Sequence, residues 1–520
     1  MERCILDAGR WLTYAEIRGT EKSLAQSWGA CYNFTLTGTQ QEPNSLEGNS
    51  AWRKGLNPHI FREFSIRGIA DRDLTEEVVT DLGQACGTFF LRQGARTVLV
   101  GRDARNSSPR ISHSLISGLL HTGLDIIDVG MVPTPIHNFA ADYYGADGGV
   151  MVTASHNPPD HNGLKVRTHR TLRAEELREI YRLAAEEPLR GSVSTSPSDR
   201  RLKRADPLPA YLDRIREQAA FQSPLKVVVD GGNGTNGHIV SSLLRSLNCE
   251  VVELYCEPDG DFPGRDPDPT APGATSDLSA RVCAVGANLG LAFDGDGDRL
   301  VLVDERGAPV PGDQVIMLLA RDVLSGGPAK IVYEILCTQA LPDDVIAHGG
   351  EPVVTPSGYA FVHQAMLDTG AALGGEFSGH LFFDVPDFHF DDSILAAVKL
   401  LNCLSRRQHP LSALVAELPA YHSSPQIRLA CPDSIKVQVV QQVKGYFKAT
   451  YPVNELDGAR IDFGDSWALV RASNTQPALS LRFEATSAER LEEVKSVVLA
   501  QVESWVAQLR HKAEVDPVSA

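Results

Sequence analysis

At 520 residues the chain is too long for one hydrophobic core, which points to three or four domains. Its 42% hydrophobic and 22% charged residues are ordinary for a soluble globular protein, and a net charge of −17 argues against a nucleic-acid binder, which would present a basic surface. No apolar stretch is long enough to span a bilayer and there is no signal-peptide core. The nine cysteines are scattered without a CxxC pair, which excludes a zinc ribbon and fits a reducing cytoplasm.

Residues 1–58 show no sustained period and read as a leader of unassigned role: a disordered tail, an accessory segment or a mis-assigned start. After Phe61-Arg62-Glu63-Phe64-Ser65-Ile66-Arg67-Gly68 the pattern becomes regular. A helix is expected through Leu74–Leu91, a strand at Thr97–Val100, a helix through Ile111–Leu120 and a strand at Ile126–Val129. The same alternation recurs from Lys226–Asp230 through Val251–Leu254, and again from Ile331–Tyr333 through Glu351–Val354. Three strand–turn–helix–strand units predict three topologically similar α/β domains with mixed sheets covered on both faces. From Ile435 the pattern changes to a helix, three strands and a last helix with Leu491, Val494, Val498, Val502 and Trp505 on one face, opened by a capping box at Thr486-Ser487-Ala488-Glu489. This is a C-terminal α+β domain.

Four stretches carry chemistry. Gly148–Val152 reads as a buried strand, and Thr153-Ala154-Ser155-His156-Asn157-Pro158-Pro159 follows it as a stiff turn. An exposed Ser155 hydroxyl there, flanked by His156 and backed by Lys165, suits a nucleophile that carries a group covalently. Ser and Asn also close ordinary turns, so the heptapeptide alone fits either reading. Asp294-Gly295-Asp296-Gly297-Asp298-Arg299 converges three carboxylates, hard oxygen ligands that favour Mg2+. An EF-hand is rejected, because Arg299 stands where its turn needs glycine and Leu300–Val303 continues as strand. Gly375-Glu376-Phe377-Ser378-Gly379-His380 is a compact polar turn that sets a carboxylate and a hydroxyl on one side. Arg471-Ala472-Ser473-Asn474-Thr475-Gln476-Pro477 has the form of an anion cradle, with a planar guanidinium at its head.

With these four motifs in this order, the chain resembles the α-D-phosphohexomutase superfamily, closest to its bifunctional phosphomannomutase/phosphoglucomutase branch, from about Ile60 to the last helix. The resemblance implies four domains around a central cleft, at about 59–203, 204–307, 308–420 and 421–510, with 511–520 as a tail. It implies an isomerase that interconverts hexose 1-phosphate and 6-phosphate, of mannose or glucose, through phosphorylated Ser155 and a hexose 1,6-bisphosphate. The bisphosphate also serves as activator. One Mg2+ per chain would be held by Asp294, Asp296, Asp298 and the phosphate on Ser155. His156, Lys165, Arg67 and His380 fall at catalytic positions. Arg299, Glu376, Ser378, Arg471, Ser473, Asn474 and Thr475 fall at substrate-binding ones. The implied partners are phosphorylated hexoses, with neither nucleic acid nor membrane, and the chain is expected as a monomer or weak oligomer. Phosphoglucosamine mutase and a catalytically weak sugar-phosphate-binding relative are the alternatives. Phe64-Ser65, Leu336 and Tyr359 depart from the Tyr-Asp, Lys and His usual in the branch. They remove a phenol, a cation and an imidazole from the sugar-reading wall, which predicts low kcat/KM and more escape of bisphosphate.

Overall fold

The computed structural model describes residues 56–185, 201–407, 409–473 and 477–515, with two short strands, Cys4–Leu6 and Arg10–Leu12, before them. The chain divides into two units, residues 1–52 and 53–520. In the first, the two strands pair antiparallel. The reading of residues 1–58 as a leader otherwise falls almost wholly outside the described residues.

The second unit repeats one sheet topology three times. Strand Thr97–Arg102 lies between two parallel neighbours, Asp125–Met131 and Gly148–Val152, and the chain then turns back as antiparallel His161–Arg167. Lys226–Asp230, Glu250–Leu254, Leu289–Phe293 and Leu300–Asp304 take the same four places in the second sheet. Lys330–Glu334, Glu351–Thr355, Leu373–Gly375 and Leu381–Phe383 take them in the third. Helices cover these sheets, so central strands are buried on both faces and read as unbroken apolar runs; Val227, Val228 and Val229 are all fully buried. The helix Glu76–Arg92 shows how the local sequence chooses its element. The Thr75 side chain accepts from Val78 N–H at its start, and Val79, Leu82, Cys86 and Phe90 then bury one stripe.

The C-terminal region is a six-stranded antiparallel sheet against which helices Asp433–Phe447 and Ala488–Val515 pack through Ile435, Val439, Val443, Leu491, Val494, Val498 and Val502. Two details differ from the sequence reading. Ser487, not Thr486, caps the last helix, because the helix starts at Ala488: Ser487 Oγ accepts from Arg490 N–H at 3.1 Å, and Thr486 N–H goes to Asp465 O. The helix also runs on to Val515, past the expected end at 510, since no breaker intervenes before Pro517. Six of the cysteines, Cys86, Cys249, Cys256, Cys337, Cys403 and Cys431, are buried free thiols and Cys283 is exposed. No described helix is long and apolar enough to cross a membrane.

Candidate active site

In each of the three repeats the third strand passes into the antiparallel fourth through a short turn, and the C-terminal hairpin joining Ser466–Ala472 to Ala478–Ala485 is a fourth such turn. All four meet in one cleft, lined among others by Ser155, Arg299, Glu376, Ser378, Arg471 and Ser473.

Ser155 has φ 51°, a left-handed conformation that a residue with a side chain keeps only when its surroundings impose it. Here Thr153 Oγ1 accepts from Ser155 N–H at 2.8 Å. From beneath, the fully buried Arg105, paired with Asp103 at 3.1 Å, donates to the carbonyls of Ser155 (2.8 Å), Asn157 (2.6 Å), Pro158 (2.5 Å) and His161 (3.1 Å). The turn is therefore stiff because a guanidinium ties four of its carbonyls. Ser155 Oγ donates to Asp294 Oδ2 at 2.8 Å and lies 3.1 Å from His156 Nδ1. Burial, helped by the Arg299, Arg67 and Arg428 guanidiniums, holds the His156 imidazole well below its usual value, so the ring is neutral and able to accept a proton. Arg67 donates to Ala154 O at 3.2 Å and Asn157 Oδ1 at 2.8 Å, which puts a second cation against the same turn.

Asp294, Asp296 and Asp298 are fully buried and can bring one oxygen each within 4.8 Å of the others. Gly297 has φ 72° and Gly295 lies so close to the serine turn that a Cβ there would stand 2.7 Å from Ser155 O, so both turn positions require glycine. Burial, with Asp298 and Asp296 beside it, pushes Asp294 up to about 8. Three such carboxylates in one pocket call for a positive charge, and Lys165 supplies one, 2.7 Å from Asp296 Oδ2 and also bonded to Asp298. Among the described residues, Asp296 Oδ1 is buried with no hydrogen-bond partner. A donor set of hard oxygens with one left over fits a divalent cation of the Mg2+ type.

Across the cleft, Glu376 Oε1 accepts from Gly358 N–H at 2.8 Å while its Oε2 lies 2.7 Å from His380 Nδ1. His380 Nε2 reaches Asp298 Oδ1 at 3.2 Å, which links the turn Gly375–His380 to the aspartate turn. Burial alone would lower His380, but the charge and hydrogen bond of Asp298 together with the hydrogen bond to Glu376 push the imidazole up to about 10. Ser378 Oγ lies 3.1 Å from His380 Nδ1. At the far end Arg471 is held by Asp457 at 2.8 Å, and its Nη2 is buried without a partner among the described residues. Lys436 Nζ donates to Ser473 O at 2.7 Å. Asn474 and Thr475 lie outside the described residues.

Two of the three departures, Phe64 and Tyr359, pack on each other, and Leu336 packs in a separate cluster. Phe64 meets Tyr359 and Phe361 edge to face, with centroids 5.5 and 5.3 Å apart. Tyr359 in turn stacks on His380 at 5.4 Å and lies under Lys165 at 5.7 Å. Leu336 joins Trp467, Leu469 and Phe377 in an apolar cluster.

Sequence reading missed Arg105, Glu334 and Arg428. Glu334 ends the strand Lys330–Glu334, accepts from Phe377 N–H at 2.8 Å and is hydrogen-bonded to the Ser357 side chain. A polar residue closing the apolar run Ile331–Tyr333 was its only signal. Asp103 beside Arg105 was a weak one, and Arg428 gave none.

Models of the phosphoglucomutase/phosphomannomutase family match in sequence order: α/β/α domain I at residues 58–190, domain II at 209–307, domain III at 311–421 and the C-terminal domain at 427–501. The chain belongs to this family. A phosphomannomutase/phosphoglucomutase of Pseudomonas aeruginosa is 40% identical over 452 residues, covering 86% of this chain and 96% of that one. A phosphoglucomutase of Neisseria gonorrhoeae is 36% identical over 450 residues, covering 86% and 97%. Among solved structures, a phosphoglucomutase/phosphomannomutase family protein of Burkholderia thailandensis superposes with a TM-score of 0.79 at 35% identity, covering 86% of this chain and 98% of that one. These relatives are mutases, a class of isomerase, and their family's three α/β/α domains and C-terminal domain correspond to the three repeated sheets and the antiparallel one.

Proposed function

We propose that the chain interconverts hexose 1-phosphate and hexose 6-phosphate, of mannose and glucose, through a phosphorylated Ser155. The observation that carries this reading is the hydrogen bond of 2.8 Å from Ser155 Oγ to Asp294, inside the cleft that also holds Glu376 and Arg471. Asp294, Asp296, Asp298 and the phosphate on Ser155 would hold one Mg2+, which draws charge from the phosphoryl group during transfer. Arg67, Lys165 and Arg299 gather around that phosphoryl group as fixed cations. His156, neutral and 3.1 Å from Oγ, is placed to exchange a proton with it. Glu376 and Ser378 take the sugar hydroxyls, with His380 as the protonated partner between them and the aspartates. Arg471, Ser473, Asn474 and Thr475 hold the phosphate that is not reacting. The sugar accepts the phosphoryl group from Ser155, becomes a bisphosphate, turns, and returns its other phosphate to Ser155. Free hexose 1,6-bisphosphate would prime an unphosphorylated enzyme by the same return step.

This reading divides the cleft among domains at 59–203, 204–307, 308–420 and 421–510, and it describes a cytoplasmic enzyme acting as a monomer or weak oligomer. Intact-mass analysis and peptide mapping of protein purified without phosphatase are expected to find one phosphoryl group on Ser155. With Mg2+ and a trace of glucose 1,6-bisphosphate, glucose and mannose 1-phosphates are expected to turn over, and Ser155→Ala to abolish both reactions. A Ser155→Ala enzyme as active as the wild type would end the mechanism. A wide preference for glucosamine 1-phosphate would move the substrate assignment.

A further inference from the structure

One cation in the cleft has no part in the scheme above. Arg428 lies on strand Ile427–Ala430, directly opposite Ser480, and Ser480 in the next pairing lies directly opposite Arg471. Side chains in register across neighbouring strands project from the same face. Arg428, Ser480 and Arg471 therefore form one row, and all three line the cleft. Two strand spacings separate the two arginines, about 9–10 Å between their backbones. Gln426 Nε2 donates to Ser480 Oγ at 2.7 Å and fixes the middle of the row.

Each arginine has bonding capacity to spare. Arg471 Nη2 is buried without a partner among the described residues. Arg428 keeps 43% of its side chain exposed, and its carboxylate partner, Asp268, is 3.6 Å away. The other oxygen of Asp268 is already engaged, by Thr270 N–H at 3.0 Å and Thr270 Oγ1 at 2.6 Å. A planar guanidinium with free N–H groups grips a phosphate through two parallel bonds.

We propose that Arg428 is a substrate-binding residue that takes the second phosphate of the bisphosphorylated intermediate while Arg471 holds the first, so that the C-terminal domain grips both ends of the sugar by itself. The assignment rests on the mutase reading. It gives the intermediate an anchor that depends on neither Ser155 nor the aspartate turn, and so keeps it in the cleft between its two encounters with the serine.

The test uses the full chain carrying Ser155→Ala, so that no phosphoryl group moves, and compares it with the same chain carrying Arg428→Gln by calorimetric titration. Glucose 1,6-bisphosphate is expected to bind at least tenfold more weakly to the Arg428→Gln protein, while glucose 6-phosphate changes less than threefold. With Ser155 restored, Arg428→Gln should release more bisphosphate per turnover, and added bisphosphate should recover much of the lost rate. Arg428→Lys, which keeps the charge but not the fork, should fall between. Equal effects on both ligands, or none on either, would overturn the role of Arg428 while leaving the mutase reading in place. If the parent protein bound neither sugar phosphate, both would fall.

Discussion

Glu334 shows what a single residue can hide from sequence reading. Its partners are Phe377 N–H, 43 positions away, and the Ser357 side chain, and its like-charged neighbour is the carboxylate of Glu376. Ser155 and the three aspartates were legible because their chemistry is packed into a few consecutive positions. Arg105 and Arg428 were not, since Arg105 binds carbonyls 50 to 56 residues onward and Arg428 reads as the solvent face of an alternating strand. Burial, then the neighbouring Glu376, push the Glu334 carboxyl up to about 8, against the pull of Arg471. The sign follows by linkage. A folded value above the unfolded one of 4.5 means the folded chain holds the proton more tightly. The resulting stability is complete below 4.5 and is lost as pH rises through 8. Glu334→Gln cannot titrate and still offers an acceptor to Phe377 N–H. Without ligand or metal, its Tm is expected to fall less than the wild type's between pH 5 and pH 9, by on the order of a few degrees. Melting curves across that range check this, and parallel curves for the two proteins would refute it.

At the scale of elements, the sequence was most readable where one device is repeated. The order of the three α/β sheets follows from alternating strands and helices, and each catalytic turn is the same connection, third strand to fourth. The edge strands Ile66–Ile69 and Leu202–Arg204 were not legible, because four and three residues carry no period and only pairing with His161–Arg167 and Asp125–Met131 creates them. The wall expected to read the sugar lines the cleft where such turns meet. Phe64, Leu336 and Tyr359 looked like losses in sequence, yet they pack against one another's surroundings and against His380, Phe361 and Trp467. Leu336 adds no charge to the cations already near the Glu334 and Glu376 carboxylates, Arg471 for the first and His380 for the second. Leu336→Lys would put an ammonium beside both carboxylates, at the expense of apolar contact with Trp467 and Leu469. Its kcat/KM on mannose 1-phosphate is expected to rise several-fold while its Tm drops by a few degrees. Adding Tyr359→His should help less, since it removes the ring that packs on Phe64 and His380. If Leu336→Lys were slower on both mannose and glucose 1-phosphates, the apolar surface itself would be reading the sugar.

At the scale of the whole molecule, the cleft works only if the C-terminal domain stays against the serine-bearing one while the intermediate turns. Among the described residues, one ion pair spans that gap: Arg62, just before strand Ile66–Ile69, lies 3.2 Å from Asp433 at the start of helix Asp433–Phe447. Asp433 also holds Lys436 at 2.6 Å, and Lys436 donates to Ser473 O in the phosphate turn. The contact therefore connects the segment leading to Arg67 with the turn expected to hold the idle phosphate. Both side chains are partly exposed, so the pair is worth about 0.2–1 kcal/mol, enough to shift a closed-to-open equilibrium by up to about fivefold and too little to affect folding. Arg62→Gln and Asp433→Asn are each expected to lower kcat/KM two- to fivefold and to raise the bisphosphate requirement, with Tm unchanged within about 2 °C. Because both changes break one contact, the double variant should be no worse than the poorer single one. Full additivity in that double-mutant cycle would show that the two residues act separately and that the domains are held together elsewhere.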